Sequence, residues 1–199
     1  MRLRGFISAS FLAGVFFATA PHAAAPQEGI TRLSLDPDTG IPTWEVDTKG
    51  VHLRLTQITP EQARAFMLGR GMDKQSVEEF AHACVYMTVV RNEGKQAIDH
   101  NLADWHYLPE GSGQPKALLT KHDWLTRWQP RNFSRPVRLA FEWSQFPVEQ
   151  TFFPGDWNQG MTTFALPAGS RFDVLHRWKQ NGRLYEGKMQ NVQCPSSFD

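Results

Sequence analysis

Cysteine is nearly absent, with 2 in 199 residues, and neither sign of charge dominates: 21 Lys and Arg stand against 20 Asp and Glu, a net of +1. The balance leaves no broad electrostatic field to draw in nucleic acid or an acidic membrane surface, so no nucleic-acid partner is expected. Beyond about residue 20 no apolar run approaches the roughly 20 residues that a membrane-spanning helix needs. Catalytic signatures are missing too. There is no G-x-S-x-G nucleophile turn, no H-E-x-x-H, no phosphate-cradling glycine loop and no Cys/His cluster with zinc spacing. The adjacent carboxylates Glu78 and Glu79 read as solvated helix surface, because neighbouring residues on a helix do not face each other. At 41% hydrophobic residues, the chain has enough aperiodic apolar content to exclude collagen-like and disordered classes.

The N-terminus has the layout of a secretory leader. Met1-Arg2-Leu3-Arg4 is basic, Gly5 to Ala20 is uncharged and mostly apolar, and Pro21-His22-Ala23-Ala24-Ala25 ends on small residues. Residues 1–25 are therefore read as a signal peptide and 26–199 as a single domain. The mature chain would have no stable membrane insertion and a periplasmic or secreted location. In such an oxidising compartment Cys84 and Cys194 are most simply one disulfide. They are too far apart for a C-x-x-C redox motif.

The patterning favours strands. Gly29–Leu35 and Thr43–Val46 flank the turn signal Asp36-Pro37-Asp38-Thr39-Gly40, and Val51–Thr56 alternates apolar and polar residues. Cys84–Val90 is apolar on both parities, as a strand covered on both faces would be. Further strands are expected over Ala97–Tyr107, Val137–Phe146, Met161–Leu166, Arg171–Lys179 and Arg183–Cys194, the last two joined by the hairpin signal Asn181-Gly182. Two helices are expected between about residues 60 and 83. The first is opened by Thr59-Pro60-Glu61-Gln62 and the second by Ser76-Val77-Glu78-Glu79. Lys121–Trp128 reads as a short helix. Eight or nine strands with one helical insertion and no βαβ alternation predict a mainly β fold, an antiparallel immunoglobulin-like sandwich.

Three groups of residues carry candidate chemistry. The loop from Phe152 to Gly160 offers Asp156, Trp157 and Asn158 on a backbone fixed by Pro154 and two glycines, a combination suited to sugar or peptide recognition. His100 and His106 share a strand parity, but about 20 Å of extended chain separates them, so only a bend would let them share a metal. With the thioethers of Met67, Met72, Met87, Met161 and Met189 they define a copper-handling alternative. His176 shares a parity with Phe172, Val174 and Trp178 and reads as a hydrogen-bonded core histidine.

Without catalytic spacing, the leading expectation is a non-catalytic exported module that binds another envelope protein or a small ligand, with no cofactor. A hydrolase acting on an envelope polysaccharide through an unrecognised site is the second alternative. The leader reading predicts that the intact mass of the exported product places its N-terminus within a few residues of Ala25; an exported product still carrying Met1 would contradict it.

Overall fold

The computed structural model describes residues 27–197, so the signal peptide expected over 1–25 lies outside the described residues. In chain order, β1 (Gln27–Glu28), β2 (Arg32–Leu35), β3 (Pro42–Thr48) and β4 (Val51–Ile58) precede two helices, α1 (Pro60–Leu68) and α2 (Lys74–Ala81). Four strands follow: β5 (Cys84–Asn92), β6 (Ile98–Asn101), β7 (His106–Pro109) and β8 (Lys116–Ala117). A second helical pair, α3 (Lys121–Arg127) and α4 (Arg135–Ser144), leads to β9 (Glu149–Phe152), β10 (Trp157–Phe164), β11 (Arg171–Gln180) and β12 (Arg183–Gln193). The chain is mainly β, in two sheets. One has five strands in the order β10-β5-β4-β3-β2, all antiparallel. The other has seven, running β1-β12-β11-β6-β9, with β7 also paired to β11 and β8 paired to β7.

The alternation predicted for β4 and the two-sided apolar run predicted for β5 set out the layers. Leu53 and Leu55 of β4 and Cys84, Tyr86 and Val90 of β5 enter a core shared with Tyr107, Phe172 and Val174 of the facing sheet. Two buried rings tie this core across the gap. Trp44 Nε1 donates to Asn191 O at 3.0 Å and Tyr86 OH donates to Gln193 O at 2.6 Å, so both polar tips are satisfied where β12 ends. The disulfide Cys84–Cys194 bridges the same end with 5.3 Å between Cα atoms, joining β5 to the residue after β12 as expected. The Asn181-Gly182 turn also forms, with φ of 51° and 74°, the left-handed values that a tight hairpin of right-twisted strands requires.

Opposite-parity residues of the five-stranded sheet face a second core. Val85 and Met161 pack there against Phe80, Trp124, Trp128 and Phe141 from all three of α2, α3 and α4 and their flanks. Trp124 Nε1 donates to Thr163 Oγ1 at 2.8 Å, and Trp128 Nε1 donates to Glu79 Oε2 at 2.8 Å. The result is three layers, sheet on sheet with helices outside, in place of a two-layer sandwich with one insertion. The expected helical pair therefore covers a sheet face. The helical layer and the parallel β1–β12 pairing depart from the expected immunoglobulin-like plan; what stands is a mainly β fold of two sheets.

Three expected elements are corrected. Val137–Phe146 is not a strand: residues 135–144 form α4, with Pro136 in its first turn and Phe141 buried one turn beyond Val137. Alternation at 137, 139, 141 and 143 suits a strand, yet Trp143 is 81% exposed, as the helical period dictates. Ala97–Tyr107 is two strands, because Asn101 Oδ1 accepts from Ala103 N at 2.9 Å and caps a 3-10 turn over Leu102–Asp104. The second helix starts earlier than Ser76, capped by Asp73, whose carboxylate accepts from Ser76 N at 3.0 Å.

Closing a loop of 110 residues, the disulfide removes about 4 to 5 kcal/mol of denatured-chain freedom. Replacing both cysteines with alanine is expected to lower the unfolding free energy measured in urea by at least about 3 kcal/mol; a loss under about 1 kcal/mol would show that the two cores hold the layers without it.

Candidate functional site

The predicted binding loop is a tight turn joining the two sheets, and it divides its three candidate residues. Asp156 Oδ2 accepts from Phe153 N at 2.9 Å, while Asp156 O and Gly155 N bond to the Asn92 backbone. The Asp156 carboxylate therefore closes the turn. Asn158 Nδ2 donates to Gln150 Oε1 at 2.7 Å and its carbonyl accepts from Gln159 N, so its amide is engaged within the fold as well. Trp157 alone remains on offer. It is 57% exposed, and among the described residues its ring stacks on no other ring or cation.

Register shows what stands beside it. Trp157 is opposite Arg91 of β5, which is opposite His52 of β4, which is opposite Asp47 of β3. One row along lie Gln159, Val89, Arg54, Glu45 and Arg32. All of these side chains leave the sheet on the face that carries Met161, Met87 and Ile58 in the helix-packed core. The helices cover only that end. The other half of the same face is bare, and Trp157, Gln159, Arg54 and Arg91 are exposed on it.

The charges on this bare half fall into two groups. Arg32 donates to Asp47 Oδ2 at 2.6 Å, and His52 Nδ1 lies 2.7 Å from Asp47 Oδ1 with its other nitrogen 3.7 Å from Glu45. Partial burial pushes the Asp47 carboxyl up, but hydrogen bonds from Arg32 and His52 outweigh it and hold the group below the usual carboxylate range. Arg54 and Arg91, by contrast, have no ion pair or hydrogen bond among the described residues. Two guanidiniums and an indole thus stand together, unengaged, on a sheet paired on both sides at β4 and β5. Sequence reasoning found Trp157 and missed both arginines, because only the strand register reveals that residues 54, 91 and 157 are neighbours.

The histidines are not brought together. His100 pairs with Trp178 and His106 with Leu175, three residues apart along β11 and on opposite faces of the sheet. The His100 ring is buried among Trp105 and Phe146 with Nε2 3.2 Å from Pro147 O. His106 Nδ1 lies 2.9 Å from Asp104 O. The methionines lie apart from both: Met67, Met72, Met87 and Met161 pack in the helical core and Met189 in the inter-sheet core. Among the described residues no group of three or more His, Cys, Asp or Glu could hold a metal ion. His176 is a core residue, but without the hydrogen bond expected of it. Its ring lies on Gly187, where an added Cβ would be 2.2 Å from Cε1, and neither nitrogen has a partner.

No family model, curated protein or solved structure matches this chain, so what it does rests on the molecule itself. No helix among the described residues is long and apolar enough to cross a membrane.

The buried histidines set an acid limit on the fold. Burial lowers the His176 pKa to about 3, with the nearby His100 adding to it, and burial lowers His100 to about 4 against the opposing pull of the Pro147 carbonyl and Asp104. Both native values lie below the 6.5 of the unfolded chain, so the unfolded state binds more protons on the acid side. Their contribution is complete above about pH 6.5 and is lost as pH falls from there, at up to about 1.4 kcal/mol per pH unit for each ring. Urea unfolding between pH 6 and 4.5 should show this slope, and His176→Leu should remove about one proton from it. An unchanged slope in the variant would show that His176 titrates normally in the folded protein.

Proposed function

We propose that this chain is a non-catalytic exported binding module whose recognition surface is the bare half of the five-stranded sheet. The observation that carries the reading is the exposed, unstacked Trp157 beside two guanidiniums that form no ion pair or hydrogen bond among the described residues. A buried cation finds a partner for stability, and an exposed large aromatic on a rigid strand is a common anchor of recognition sites. Export is supported by the leader-like residues 1–25 and by the Cys84–Cys194 disulfide, a bond that persists in oxidising compartments. On this reading the sandwich is used as immunoglobulin-like modules are used, through an exposed surface on a stiff frame.

The test is a retention experiment. Immobilised mature protein is exposed to an extract of the envelope from which it comes, and the retained material is compared with that on Trp157→Ala. Because the indole packs into neither core, the variant should unfold within about 2 °C of the parent. Retention should fall at least about fivefold. Equal retention by both proteins, or a variant that unfolds far below the parent, would overturn the assignment of this surface.

A further inference from the structure

Resting on that reading, we propose that the surface recognises an acidic polysaccharide: a chain of sugars bearing carboxylates, whose ring faces stack on Trp157 while Arg91 and Arg54 take the carboxylates.

Four observations point to that chemistry. The first is spacing. Trp157 and Arg91 are directly opposed on neighbouring strands, which puts their Cβ atoms about 5 Å apart, and Arg54 sits one strand and one row further, at a diagonal of about 7 to 8 Å from Arg91. An indole with a guanidinium beside it fits one ring with its own acidic substituent, and the second guanidinium fits the next acidic substituent along a chain. Guanidinium pairs with carboxylate through two parallel hydrogen bonds, so the match is geometric as well as electrostatic. The second is charge. Arg32 is engaged by Asp47, and with Arg54 opposite Glu45 in the register the face keeps a net charge of one positive, at Arg91 beside Trp157.

The third is shape. Trp157, Arg91 and Arg54 are exposed across three neighbouring strands and do not line the concavities around His100, Trp128, Pro109 or Arg131, an open arrangement unlike the enclosed sites that small molecules take. A long ligand lying across strands suits it. The fourth is the strand edge. Beside Trp157 a peptide would have to add along the β10 edge, where Phe146 N already donates to Met161 O and Leu119 N to Thr163 O. The open edge from Trp157 to Gln159 is too short for strand addition, and the face offers no apolar groove for peptide side chains.

The experiment titrates the mature, disulfide-intact protein with oligogalacturonate and with the same oligomer methyl-esterified, following tryptophan fluorescence and heat of binding at two salt concentrations. The free acid should bind at least about tenfold more tightly than the ester. Arg91→Gln and Arg54→Gln should each weaken it about fivefold to tenfold and flatten its salt dependence. Trp157→Ala should weaken both forms. Equal binding of acid and ester, or equally tight binding of poly-glutamate or a single-stranded oligonucleotide, would overturn the ligand class while Trp157-dependent retention from the envelope extract still upholds the module. Absence of binding to either oligomer would overturn this inference, and loss of Trp157 dependence in both experiments would overturn the module reading with it.

Discussion

A sheet with apolar side chains on both faces has to be covered twice, and the five-stranded sheet is built around that requirement. β5 sends Cys84, Tyr86 and Val90 toward one core and Val85 and Met87 toward the other. The second sheet answers the first set and the helices answer the second. Burial of large rings such as Tyr86 and Trp124 dominates both interfaces, and each of these two keeps a partner for its polar tip. Where the apolar pattern of β5 stops, at Arg91, the helical cover stops too. The proposed recognition surface is the remainder: the part of a doubly committed sheet that carries polar and charged residues among few apolar ones.

This arrangement explains why a mobile loop is unnecessary for the proposed role. Arg91 lies on a strand paired with neighbours on both sides, and Arg54 likewise, so the positions of the two guanidinium stems are fixed by backbone ladders. Trp157 begins β10 immediately after a turn locked by the Asp156 carboxylate. Groups placed in advance of binding lose little freedom when a ligand arrives, which favours affinity without extensive burial. The polar residues that look most available in the sequence, Asp156 and Asn158, have their side chains engaged in hydrogen bonds within the fold.

Much of the fold could be read from the chain, and the failures have physical causes. Alternation located β4, β11 and β12, the two-sided apolar run located β5, and export logic paired Cys84 with Cys194. Residues 135–144 were illegible because Val137, Leu139, Phe141 and Trp143 alternate like a strand, while Pro136 and the four-residue step from Val137 to Phe141 fit a helix equally well. Only burial against Phe80 and Trp128 decides between the two. Of the site, Trp157 was visible as an aromatic in a rigid turn. Arg54 and Arg91 were invisible, since sequence shows neither that their strands are adjacent nor that the acids nearby are already paired with Arg32 and His52.

The central claim is that the uncovered half of the sheet is as rigid as the half beneath the helices. Native-state amide hydrogen exchange measures this directly, strand by strand. The account predicts that amides of Leu53–Leu55 and Val89–Arg91 exchange only through global unfolding, at the same free energy as Tyr86 and Met87 in the helix-covered half. Exchange at Val89–Arg91 through local opening, several kcal/mol below that limit, would contradict it.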